Sequence, residues 1–78
     1  GGYDESERAL KQAITLAPRV IRHHFELGTL YQGMDRDEEA LAEFRQVLAL
    51  PPLLASDAAK QLSAARLVKD IGGSEETP

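Results

Sequence analysis

The sequence predicts an all-α fold of four helices, and three observations carry that reading. No segment alternates β-branched or aromatic residues with polar ones for long enough to mark a strand. Apolar residues recur instead at helical spacing along almost the whole chain. The chain also matches itself at an offset of about 34 residues. Sliding "GYDESERALKQAITLAP" over "RDEEALAEFRQVLALPP" brings Glu5 onto Glu39, Gln12 onto Gln46, Leu16 onto Leu50 and Pro18 onto Pro52.

Each element follows from this spacing. The first helix opens at Asp4, carries Ala9, Leu10, Ala13, Ile14 and Leu16 as an apolar stripe, and stops at Pro18. The second fits Val20 to about Gly33, with Leu27, Leu30 and Tyr31 inward. The third fits Asp37 to Leu50, with Ala40, Leu41, Phe44, Val47 and Leu48 inward, and ends at Pro51-Pro52. The fourth runs from Ser56, read as its N-cap, to Ile71, with Asp57 in its first turn and Gly72-Gly73 as its stop. Connections this short make consecutive helices antiparallel neighbours. The tail "SEETP" reads as frayed.

Composition narrows the function classes. The chain has 78 residues, 42% of them hydrophobic and 28% charged, an ordinary globular balance near the lower size limit for one core. A net charge of −4 argues against nucleic acid as a partner and against a polybasic membrane-surface segment. No apolar run is long enough to span a bilayer. Without cysteine there are no disulfides and no thiolate metal ligands, which leaves the compartment open, the cytoplasm being the default. The opening "GGYDESERAL" has no initiator Met and no leader-like segment, so the chain reads as a piece of a longer protein.

Leu27-Gly28, Tyr31, Ala40, Phe44 and Pro52 stand at the spacing L-G-x-x-Y … A-x-x-x-F … P, and in these residues the chain resembles the tetratricopeptide repeat family. The resemblance implies helical hairpins stacked as a short right-handed solenoid. Residues 1–18 would be the second helix of a partial repeat, 19–52 one complete repeat, 53–73 a C-terminal capping helix and 74–78 the frayed tail. Three positions depart from the pattern: His24 stands where Trp is frequent, Asp35 replaces the turn glycine, and Ser6 takes the place corresponding to Ala40. Asp visits the left-handed region more readily than most residues, so the turn survives.

Glycine inside a helix costs about 1 kcal/mol relative to alanine, so Gly28 is expected to serve a close helix approach, with Ala40 in the same part on the third helix. His23 and His24 point about 100° apart on a helix and cannot chelate one metal together. His24 is expected half-buried in the helix contact, and His23 solvated. No histidine or serine has a nucleophilic partner at motif spacing, and the acids of "DRDEEA" suit a helix start rather than a cation loop. No metal, cofactor or catalytic residue is therefore expected.

The resemblance implies a non-catalytic scaffold whose first helices line a concave groove for a peptide of a partner protein. Its groove positions here are Arg22, Phe25, Thr29 and Gln32 on the second helix, with Ser63 and Arg66 on the fourth. Ala59, Ser63, Arg66 and Asp70 also follow helical spacing as a strip beside an arc of Ala58, Leu62, Ala64, Ala65, Leu67, Val68 and Ile71. Phe25 is either a partner anchor or a residue packing on the end of the fourth or first helix. The carboxylate clamp for chaperone tails is not reproduced, because Phe25 and Thr29 occupy its places. The competing expectation is an assembly module of a longer solenoid. There, apolar surface at Tyr3, Leu10 and Ile14 would pair with a second copy as a homodimer.

Overall fold

A computed structural model describes residues 2–72, and among them it holds four helices and no strand: α1 (Gly2–Leu16), α2 (Ile21–Gly33), α3 (Asp37–Ala49) and α4 (Ala55–Gly72). Gly73 of the expected stop and the tail 74–78 lie outside the described residues. Each helix packs on the next in the chain, and α2 also touches α4. Tyr3 beside Gly33 and Glu7 beside Tyr31 show that α1 and α2 run antiparallel.

The boundaries have local causes. After α1 the turn at Pro18 closes through the Val20 N–H donating to the Ala17 carbonyl. α2 ends where Asp35 takes φ +60°, and the Arg36 N–H returns to the Tyr31 carbonyl at 2.8 Å. An aspartate thus holds the left-handed position usually given to glycine. The expectation for Ser56 is corrected. α4 starts at Ala55, and it is the Asp57 carboxylate that accepts the N–H groups of Leu53 and Leu54, both at 2.9 Å. An acid at the third helical position reaches back to these donors, whereas Ser56 is exposed and already inside the helix.

The core lies between α2 and α3. Ile21, Leu27 and Tyr31 meet Ala40, Phe44 and Val47, and Ala64 of α4 closes one side. Full burial of Phe44, Ile21, Leu27 and Val47 contributes about 1.5–3 kcal/mol each before chain entropy is counted. Gly28 sits under the Phe44 ring: an added Cβ would stand 2.7 Å from the ring edge.

Several inward expectations need correction. Leu16 is 80% exposed and Ala9 is exposed, because α1 contacts only α2 and offers it a narrow strip. Leu48 is exposed on α3. On α4, Ala64, Leu67, Val68 and Ile71 turn inward, while Ala58, Leu62 and Ala65 face out because no described element covers that side. Leu10 and Ile14, expected to be open, are half-buried against the core. Tyr3 is exposed as expected, and Leu16, expected inward, adds to the open apolar surface of α1.

Candidate functional site

Contact between α2 and α4 brings the six groove residues onto neighbouring helices. Arg22, Thr29, Ser63 and Arg66 are exposed, and Phe25 and Gln32 are half-buried. The Phe25 ring tilts at 58° against Phe44 with centroids 5.7 Å apart, so one face belongs to the core. Packing therefore fixes the ring on α3, a neighbour the sequence reading did not name. The Thr29 hydroxyl donates to the Phe25 carbonyl at 3.0 Å. Of the repeat-pattern residues, Leu27, Gly28, Tyr31, Ala40 and Phe44 are buried, whereas Pro52 is exposed in the α3–α4 turn.

His24 is more deeply placed than expected. It is buried, its Nε2–H donates to the Pro18 carbonyl at 2.8 Å, and its Nδ1 stands 2.9 Å from the Glu43 carboxylate. One side chain thus ties the α1–α2 turn to α3. His23 is not solvated: it is half-buried, with a fully buried Nδ1 that has no partner among the described residues.

A polar cluster joins α1 to the rest, and the sequence reading did not find it. Glu7 accepts from the Tyr31 hydroxyl at 3.1 Å, from Arg36 at 3.0 Å and from Lys11 at 3.0 Å. Arg36 lies 4.6 Å over the Tyr31 ring and also grips Glu39. Lys11 first, then Arg36, hold the Glu7 carboxyl down to about 2. Arg36 lowers Glu39, and Glu7 raises Lys11. Burial raises the Tyr31 phenol. The pairs Glu7–Lys11 and Arg36–Glu39 have helical i, i+4 and i, i+3 spacing that was legible in principle. The link from Glu7 to Arg36 spans 29 residues and had no local signal.

Glu7 and Asp57 are held as carboxylates by their donors, which suits them to accepting hydrogen bonds rather than delivering protons. Among the described residues no cluster of three or more His, Asp or Glu is placed to hold a metal. No described helix is long and apolar enough to cross a membrane.

No family model matches the chain, and no solved structure matches it significantly. The chain is similar to a protein O-mannosyl-transferase of Caenorhabditis elegans, with 44% identity over 48 residues. The aligned stretch is 62% of this chain and 7% of that protein's length. A helical segment fits this likeness. The expectation of a purely non-catalytic scaffold, either peptide-binding or assembling, and the expectation that no enzyme is involved, are both overturned by it, because the relative is named as an enzyme. Repeat-fold residues specify helix packing, so nothing in them could have signalled the chemistry of a protein in which such a segment sits.

Proposed function

We propose that this chain is a tetratricopeptide-type helical segment of an enzyme that transfers mannose to oxygen atoms of a protein. The likeness to the protein O-mannosyl-transferase carries the reading. In this reading α1 is the second helix of one repeat, α2 and α3 form a complete repeat, and α4 opens the next in a right-handed stack. The L-G-x-x-Y and A-x-x-x-F spacings support it, as do Gly28 lying under Phe44 and the burial of Leu27, Tyr31 and Ala40.

The row of Arg22, Phe25, Thr29, Gln32, Ser63 and Arg66 is where the segment would steady the polypeptide acceptor during transfer. Arg22 and Arg66 are exposed cations able to grip an acceptor carboxylate or backbone carbonyl. Phe25, fixed on one face by Phe44, offers its other edge at no further cost in side-chain ordering.

Mannosyl transfer to a protein acceptor, by the polypeptide that carries this segment, tests the reading. Arg22→Glu combined with Arg66→Glu should raise KM for the acceptor about tenfold and leave KM for the mannosyl donor unchanged. Absence of transfer by the unaltered polypeptide removes the enzyme assignment. Equal effects on donor and acceptor remove the role given to the row.

A further inference from the structure

Two neighbouring residues of α2 meet two neighbouring residues of α3. Phe25 lies on Phe44, and one residue earlier in each helix His24 meets Glu43. The aromatic pair is indifferent to pH, and the polar pair is not. His24 is 6% exposed, with Nε2 at 2.8 Å from the Pro18 carbonyl and Nδ1 at 2.9 Å from a Glu43 carboxylate oxygen. Both partners of the ring are acceptors, because neither a carbonyl nor an ionised carboxylate has a proton to give. A neutral imidazole carries one N–H and one lone pair, so it satisfies one of these partners and opposes the other. The imidazolium, with an N–H on each nitrogen, satisfies both.

We infer that His24 is a proton-dependent clasp: with two ring protons it ties the α1–α2 turn to α3, and with one it releases Glu43. The release falls at Glu43 because the Pro18 carbonyl is fixed in the turn, whereas the Glu43 side chain is 21% exposed and can turn to water. Charges on the flanking helices are engaged elsewhere. Glu7 and Lys11 of α1 meet Arg36 at Tyr31, about two turns further along α2. On α4, Lys60 acts on Asp57, whose carboxylate holds the Leu53 and Leu54 N–H groups. From α2 itself the adjacent His23 is the second titratable ring, with its buried Nδ1.

The contact with Glu43 exists only while the ring carries both protons, so its share of the stability is lost as rising pH removes one of them. The start of α2 then keeps the burial of Ile21 and the seat of Phe25 on Phe44, without its polar tie to α3. The clasp rests on contacts between the α1–α2 turn, α2 and α3, and does not depend on the enzyme reading.

The 78-residue chain has two histidines, so 1H–15N spectra of the imidazole nitrogens resolve each ring, and His23→Gln assigns them. At about pH 6 both ring N–H protons of His24 should be observed directly, protected from solvent exchange by their acceptors. At about pH 9 the ring should be the neutral Nε2–H form, still bonded to Pro18. Tm should fall by about 4 °C over that range in the unaltered chain and in His23→Gln. In Glu43→Gln the amide can donate to Nδ1 of a neutral ring, so the clasp no longer needs the second proton. Its Tm should change by less than about 1 °C over the same range. A His24 ring with one protected N–H or none at about pH 6 overturns the inference, and so does an Nδ1–H ring or a doubly protonated one at about pH 9. An equal fall of Tm in Glu43→Gln overturns it too, since the titration would then act elsewhere. Should Glu43→Gln fail to fold, the spectra of the unaltered chain decide alone.

Discussion

α1 and α3 carry the same pattern one repeat apart, yet the structure treats them differently. α3 buries Ala40, Leu41, Phe44 and Val47, whereas α1 fully buries none of its residues. Sequence explains part of this, since Leu10 and Ala13 are smaller than Phe44 and Val47. Position explains more: α3 is covered by α2 and α4, while α1 has one neighbour. The means of attachment differ accordingly. α3 is held by apolar contact, and α1 is held in addition by Glu7 reaching Tyr31 and Arg36. A helix here is as stable as the neighbours it has, even when its own residues repeat a stable pattern.

The largest expected effect comes from breaking this contrast at its aligned pair. Phe44→Ala empties a fully buried site and should cost about 4 kcal/mol, most of the stability of a chain this small. Leu10→Ala, at the corresponding half-buried place, should cost about 1 kcal/mol. Urea unfolding of both variants measures the difference, and equal losses would show that position does not separate the two helices.

Two glycines of α2 sharpen the same contrast. Gly28 faces α3 and Gly33 faces α1. Gly28→Leu drives a side chain into the buried Phe44 ring and should lower Tm by about 15 °C. At Gly33 an added Cβ would lie 3.4 Å from the Tyr3 hydroxyl, an ordinary contact on an exposed surface. Gly33→Ala should therefore raise Tm by about 3 °C through helix propensity. A loss of stability there would mean that α1 sits on α2 as tightly as α3 does.

The helices and most of the core were legible because they depend on periodic signals. Spacing located α2 and α3 to within a residue or so, and the lone Gly28 announced the close approach. What the sequence did not reveal depends on partners far along the chain. Whether Leu62 or Leu67 turns inward follows from which side of α4 meets α3, and both lie in one broad apolar arc. His23 and Ser56 were misjudged for a related reason: the fold buries His23 Nδ1 beside the already buried His24, and Asp57 rather than Ser56 reaches back to the Leu53 and Leu54 N–H groups, geometry that composition does not encode. For the candidate row, the resemblance to a repeat family named the six residues, and helical spacing gave only the helices they lie on; the seating of Phe25 on Phe44 required the fold.

That displaced cap gives the next prediction. Asp57→Ala removes the acceptor for two backbone N–H groups and should lower Tm by about 5 °C, while Ser56→Ala should leave it unchanged. Thermal melts followed by circular dichroism decide between them. A larger loss from Ser56→Ala would return the cap to the serine.

The smallest effect concerns the polar attachment of α1, and it is best read through pH. Glu7 has an ordinary value of 4.5 and is held at about 2 in the fold by Lys11 and Arg36. Glu39 and Asp57 are lowered as well. A carboxylate depressed by folding binds its proton more readily when unfolded. The stability it contributes is therefore present above the unfolded value and is lost as pH falls toward the folded one. Stability should decline between about pH 4.5 and about pH 2. Glu7→Gln should lower Tm at neutral pH by about 3 °C, because these contacts are partly solvated. It should also flatten the acid decline, leaving only the share of Glu39 and Asp57. Amide exchange should then be faster in α1 and unchanged in α3. Parallel acid declines for the two proteins, or faster exchange in both helices, would mean that Glu7 does not hold α1 in the way α3 is held by its core.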